Sequence, residues 1–174
     1  MLKQLDIPAK ADDGTQWRWA WVAELAVKHG WTKGAELGVK RGHFSIYLVD
    51  HVPDLSMIAV DLWGQEGNSP RYSRYRHENN YHRVLERTAG REIRVLRMST
   101  HEAAECVPDK SLDFAFIDAS HEYGAVKQDI EDWLPKVRSM LIGHDYLEAD
   151  VKKAVQERFT DIIEGPDQCW AVTA

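Results

Sequence analysis

Apolar positions along the chain keep two rhythms. Between Thr15 and His29 they recur at helical spacing, with Trp17, Trp21, Leu25 and Ala20 on one face. Asp13 or Thr15 can cap that helix, and Gly30 ends it after Lys28 and His29. Short apolar runs then alternate with further helical stretches. The strands predicted are a run ending at Ala35-Glu36-Leu37, then Ser56 to Asp61, Ile93 to Met98, Leu112 to Asp118 and Met140 to Gly143. Between them lie helices carrying Phe44, Ile46, Tyr47 and Leu48 after Gly42, and from about Tyr81 to Ala89. A short helix follows the capping-box pair Ser99 and Glu102, the next carries Val126, Ile130, Trp133, Leu134 and Val137, and the last runs from Ala149 to Phe159. Thr160 to Glu164 and Cys169 to Thr173 flank Gly-Pro-Asp-Gln as an antiparallel hairpin. Five strands alternating with helices and closed by a hairpin predict an α/β fold. It is a doubly wound, mostly parallel, seven-stranded sheet with an antiparallel C-terminal hairpin.

The 174 residues suit one domain, with residues 1–32 as an N-terminal helical extension. The polar stretch from Trp63 to Asn80 is too long for a turn. It leaves the sheet edge where ligands bind in open α/β folds, so residues 64–80 read as a lid or substrate wall. Tryptophans 17, 19, 21 and 31 read as packing that covers one sheet edge or a partner subunit, which leaves a homo-oligomer open.

Composition narrows the class. With 44% apolar and 29% charged residues the chain is globular, and it has neither an apolar run long enough to span a membrane nor the apolar core of a signal peptide at its start. A cytoplasmic location without membrane contact is expected. Cys106 and Cys169 are too few and too separated for a disulfide framework or a cysteine-rich zinc site, and both read as reduced and buried. The net charge of −6 argues against a general nucleic-acid binder. Residues 71–97 nevertheless hold eight arginines against three glutamates, a local +5 that leaves −11 elsewhere and would suit an anionic ligand.

The chemistry centres on Glu36-Leu37-Gly38-Val39-Lys40-Arg41-Gly42. Gly38 allows the backbone to approach a ligand, and N–H groups opening the helix after Gly42 can point at a carboxylate or phosphate. Dinucleotide sites place glycine where Glu36 stands, because the backbone there wraps a pyrophosphate. A carboxylate would repel phosphates and would suit a cationic ligand end, such as the amino group and sulfonium of S-adenosylmethionine. Asp61, ending the next strand, is placed to accept hydrogen bonds from a ribose diol.

The E-x-G-x-x-x-G turn, Asp61, Phe-Ile-Asp-Ala-Ser-His-Glu-Tyr and Gly-His-Asp-Tyr together resemble the class I S-adenosylmethionine-dependent methyltransferases. They look most like the small O-methyltransferase-like group related to macrocin O-methyltransferase and cephalosporin-hydroxylase-type proteins, over about residues 33–173. The resemblance implies a Rossmann-like methyltransferase fold in which Glu36, Gly38 and Gly42 line the methionine end and Asp61 the ribose. Leu62, Met98 and Ser99 would line the adenine, with Leu37 and Asp118 also among the cofactor's neighbours. One departure is the absence of a Pro-Gly-Gly turn before the fifth strand, where Val137-Arg138-Ser139 makes a shorter link.

Three strand ends, Asp61, Asp118 and His144-Asp145, converge on one edge. Methyl transfer requires an aligned nucleophile and removal of its proton. His121 is one candidate base. Asp118, His144 and Asp145 are the other candidate group, holding a divalent ion (Mg²⁺, Mn²⁺ or Fe²⁺) that would acidify a bound hydroxyl. The reading is an S-adenosylmethionine-dependent methyltransferase acting on oxygen of a small polar or sugar-like acceptor. A non-catalytic adenosyl-binding protein, or a protein or nucleic-acid methyltransferase, is the alternative, and the lack of an N-P-P-Y-type motif weighs against base methylation.

Overall fold

A computed structural model describes residues 16–64 and 74–174. Helix α1 (Gln16–His29) precedes five strand–helix units. These contain β1 (Lys33–Leu37), α2 (His43–His51), β2 (Ser56–Asp61), α3 (Arg74–Thr88), β3 (Ile93–Arg97), α4 (Thr100–Glu105), β4 (Leu112–Ile117), α5 (Tyr123–Trp133), β5 (Val137–Gly143) and α6 (Ala149–Arg158). Strands β6 (Ile163–Glu164) and β7 (Trp170–Thr173) complete a seven-stranded sheet in the order β3-β2-β1-β4-β5-β7-β6. β1 to β5 pair in parallel, and β7 runs antiparallel to both β5 and β6. The expected doubly wound sheet with a reversed C-terminal strand is what the chain forms. In the hairpin, Asp167 and Gln168 have φ of 52° and 58°, and Cys169 N–H bonds the Pro166 carbonyl at 3.1 Å, as a type I′ turn requires.

Alternate strand residues feed two cores. Ala35, Leu37, Val60, Ala115, Ile117 and Leu141 face α4, α5 and α6, with Trp133 and Trp170 among them. On the opposite face Phe114, Phe116, Met57 and Ile142 pack under α1 and α2. Trp31 stacks on Phe114 at 4.9 Å between ring centroids, and Phe44 on Phe116 at 4.3 Å. A third small cluster of Val39, Ala59, Trp63 and Val84 lies beneath α3.

Several boundaries differ from expectation. The buried face of α1 is Ala20, Val22, Ala23 and Ala26, because small side chains let the helix lie close to the sheet; Trp21 and Leu25 are only partly covered. The Trp17 side chain and the capping residues lie outside the described residues. Helix α3 starts at Arg74, so residues 74–80 of the expected lid are helical, and residues 65–73 lie outside the described residues. β5 begins at Val137, so Val137-Arg138-Ser139 are strand residues, and a 3-10 turn at Leu134–Lys136 makes the connection. Cys106, at the C-cap of α4, is exposed rather than buried, whereas burial pushes the Cys169 thiol up to about 12. No helix among the described residues is long and apolar enough to cross a membrane.

Candidate active site

The sheet continues its hydrogen bonding one residue past three strand ends. Gly38 N–H bonds the Val60 carbonyl at 2.9 Å, Asp118 N–H the Leu37 carbonyl at 2.8 Å, and His144 N–H the Ile117 carbonyl at 3.0 Å. Gly38, Asp118 and His144 therefore stand side by side along the C-terminal edge. By strand alternation Asp118 and His144 follow Phe116 and Ile142 onto the face covered by α1 and α2.

Gly38 has φ +90°, and a Cβ there would overlap the Asp118 carbonyl. The glycine is thus required by the close pass of two strand ends, rather than by a ligand alone. Gly42, at φ 73°, is the N-cap of α2. The carboxylate at this helix start belongs to the chain itself. Glu36, 4% exposed, accepts from the Ser45 backbone N–H at 3.1 Å and from the Ser45 hydroxyl. Burial, ahead of the neighbouring Asp118 and Asp61 charges, pushes its carboxyl up to about 8 although the Ser45 bonds pull the other way. Leu37 is fully buried in the core and offers a ligand only its backbone.

Asp61 ends β2 with each carboxylate oxygen accepting one backbone amide, from Lys40 at 2.8 Å and from Trp63 at 2.8 Å. The residue pins two loops whose backbones are left-handed at Lys40 (φ 54°) and Trp63 (φ 38°), and it keeps lone pairs for a further donor. Leu62 and Met98 are half-buried beside it along the edge. Ser99 spends its hydroxyl on the capping box with Glu102. Arg97 is held by Glu78 at 2.5 Å and lies over the Tyr81 ring at 4.4 Å, and Arg91 pairs with Asp50 at 2.9 Å. Part of the basic segment is therefore neutralised within the fold.

Beyond β4 and β5 the structure brings together all four expected catalytic side chains. Asp145 Oδ2 lies 3.0 Å from His121 Nε2 and 3.0 Å from His144 Nδ1. Asp118 Oδ1 is 3.8 Å and 3.7 Å from the same two atoms. Glu148 adds a carboxylate 3.3 Å from His121 Nδ1. Asp145 has φ 55°, a strained backbone for a non-glycine residue at the centre of the cluster. The Asp118 carboxylate, followed by the charges of Asp145 and Glu148, pushes His121 up to about 9 against the opposing effect of burial. Burial alone would raise Asp145, but the adjoining His144 imidazole, 3.0 Å away, and the charges of His121 and Arg18 hold it below the ordinary carboxylate range.

Arg18 is the residue that sequence reasoning missed. It lies one turn before Val22 on the sheet-facing stripe of α1. Its Nη1 is 2.9 Å from Asp167 Oδ2 and 3.1 Å from His144 Nε2, and its Nη2 is 3.5 Å from Asp118 Oδ2. A guanidinium only donates, so His144 Nε2 accepts, which puts the ring proton on Nδ1; that nitrogen lies 3.0 Å from Asp145 Oδ2 without hydrogen-bonding geometry.

That arrangement bears on the expected metal triad. In it neither ring nitrogen of His144 offers a lone pair to an ion. Among the described residues, the side chains whose ligand atoms converge, all within 4.8 Å of one another, are Asp118, His121 and Asp145. Asp118 is shared with Arg18, whose Nη2 lies 3.5 Å from Oδ2 while Oδ1 faces the two histidines, so an ion on these donors would sit beside the docked guanidinium and share its carboxylate. A cavity of about 10 Å³ lies where Asp118, Ser120, His121 and His144 meet Val126, Val151 and Trp170 of the core. The larger concavity, about 310 Å³, lies at the opposite end of the sheet between Lys33, Ser56, Ile58 and Arg94.

Comparison with known proteins places this geometry in a family. A family described as a methyltransferase domain matches residues 35–146. An uncharacterized protein of Sinorhizobium fredii (strain NBRC 101917 / NGR234), y4gI, is 36% identical over 91 residues, 50% of this chain and 10% of that protein. The chain thus spans about a tenth of the length of the curated relative it matches. An O-methyltransferase from Bacillus cereus, solved in complex with SAH, superposes with a TM-score of 0.62 at 16% identity, covering 97% of this chain and 84% of that one. TomG, an O-methyltransferase from Streptomyces achromogenes solved with SAM, gives 0.62 at 13% identity over 90% and 79% of the two chains. The N-methyltransferase NodS from Bradyrhizobium japonicum gives 0.58 at 14% identity over 92% and 94%. The structural likenesses establish the class I methyltransferase-like fold, the family match covers well over half of the chain, and this chain belongs to the methyltransferase-domain family.

Proposed function

We propose that this chain is an S-adenosylmethionine-dependent methyltransferase whose acceptor is an oxygen of a small polar or sugar-like molecule. The observation that carries the reading is the meeting, on one sheet edge, of the Glu36–Gly38 turn, Asp61 and the Asp118–His121–His144–Asp145 cluster. When bound, S-adenosylmethionine supplies an electrophilic methyl on a sulfonium. Asp61 would accept the ribose hydroxyls on its remaining lone pairs, and Leu62, Met98 and the Ser99 backbone would border the adenine. Glu36 and the turn from Gly38 to Gly42 would lie at the methionine end, where a buried carboxyl can ionise against the cofactor's positive charge.

Proton removal falls to the imidazole–carboxylate cluster. Held near 9 by Asp118, Asp145 and Glu148, His121 is cationic at neutral pH, and an acceptor displacing one of those carboxylates would release it to act as a base. The divalent ion belongs to the same proposal in altered form: its donors would be Asp118, His121 and Asp145, and it would share Asp118 with Arg18. His144 then becomes a positioning residue rather than a ligand. The test is transfer of a labelled methyl group from S-adenosylmethionine to panels of polyols, sugars, phenols and amines. Label appearing on a hydroxyl supports the reading; label on amines alone, or on a protein or nucleic acid, overturns the O-methyl assignment.

A further inference from the structure

We propose that Arg18 is the built-in cation of this site, a positioning residue that pins His144 in one tautomer and occupies Asp118 so that a divalent ion and α1 compete for the same carboxylate. Four carboxylates, Asp118, Asp145, Glu148 and Asp167, gather around two imidazoles. Like charges so crowded need an offset, and in many such clusters it is a metal. Here a guanidinium from another element takes the position. It reaches His144 across 126 residues of sequence and touches Asp167 from the hairpin, 149 residues away.

The geometry is that of a planar fork used on both arms. Nη1 serves Asp167 and His144 at 2.9 and 3.1 Å, and Nη2 faces Asp118 at 3.5 Å, with the side chain 15% exposed. Asp167 sits in a left-handed turn position of the β6–β7 hairpin, and this aims its carboxylate back over the strand ends. An ion seated between Asp118, His121 and Asp145 would lie against the guanidinium, and the two cations would repel at short range. Four separate elements, α1, the end of β4, the end of β5 and the hairpin, are tied through one side chain. Arg18 itself lies outside the stretch that matches the methyltransferase family.

The inference does not depend on methyl transfer, and its test uses Mn²⁺ alone as the probe. Mn²⁺ binding would be titrated by electron paramagnetic resonance in wild type, Arg18→Met, Arg18→Lys and the double variant Arg18→Met/Asp118→Asn, with circular dichroism confirming folding. The expected result is at least tenfold tighter Mn²⁺ binding in Arg18→Met, lost again in the double variant, with Arg18→Lys close to wild type. Equal affinity in wild type and Arg18→Met overturns the competition. Should Arg18→Met not fold, nitrogen-15 spectra of the His144 ring in the wild type decide. A proton on Nδ1 and an accepting Nε2 support the pinning, and a proton on Nε2 contradicts it.

Discussion

Replacing Glu36 with glutamine should change how stability depends on pH, because a carboxyl at 4% exposure is held protonated well above its ordinary range. Its unfolded value is near 4.5 and its folded value about 8. The folded state therefore keeps a proton that the unfolded state releases, and stability falls as pH rises between those values. Each pH unit in that window costs about 1.4 kcal/mol, which amounts to about 3 kcal/mol between pH 5 and pH 7.5. Glutamine keeps the volume and the oxygen that accepts from Ser45, and it carries no proton to lose. Urea unfolding of both proteins at pH 5, 6.5 and 7.5 should show Glu36→Gln gaining on wild type by about 3 kcal/mol across the range. Parallel curves would refute the reasoning, since they would mean that Glu36 ionises at no cost.

Asp61→Ala should weaken adenosyl binding by about 1.5 to 3 kcal/mol, with Asp61→Asn milder because it keeps an acceptor for one of the two loop amides; unchanged calorimetric affinity in both variants would exclude a ribose role. Gly38→Ala should destabilise by at least about 2 kcal/mol in denaturant unfolding, because φ +90° and the overlap with the Asp118 carbonyl act together, and a neutral effect would show that the two strand ends can separate. If His121 is the base, the rate should climb as pH passes through about 9, and His121→Ala should cost about a hundredfold or more; a variant with an unchanged pH–rate profile would move the role elsewhere.

Much of the sheet was legible because β4 and the strands beside it are buried on both faces and read as near-continuous apolar runs. The register then did the rest: once Leu37 pairs with Ile117 and Ile117 with Gly143, the acids and histidine just beyond them must share an edge. Helix α3 was harder, since Arg74 to Asn80 carries no apolar period and its anchors, Tyr81 and Val84, come later in the helix. The face of α1 misled because alanines rather than tryptophans make the close contact. Arg18 could not be found locally at all. Its partners lie 100 to 149 residues away, and the only hint was a cation on the same helical stripe as Val22 and Ala26.

The central claim, an adenosyl cofactor at the Glu36–Asp61–Asp118 edge, is tested most directly by calorimetry of the wild-type protein with S-adenosylmethionine, S-adenosylhomocysteine, NAD and ATP under identical conditions. The account predicts saturable binding of the first two and none of comparable strength for the others, because the buried Glu36 can ionise against a cationic methionine end, whereas a phosphate there would gain nothing from a carboxyl held protonated. Tighter binding of NAD or ATP, or no binding of S-adenosylmethionine by folded protein, would contradict it.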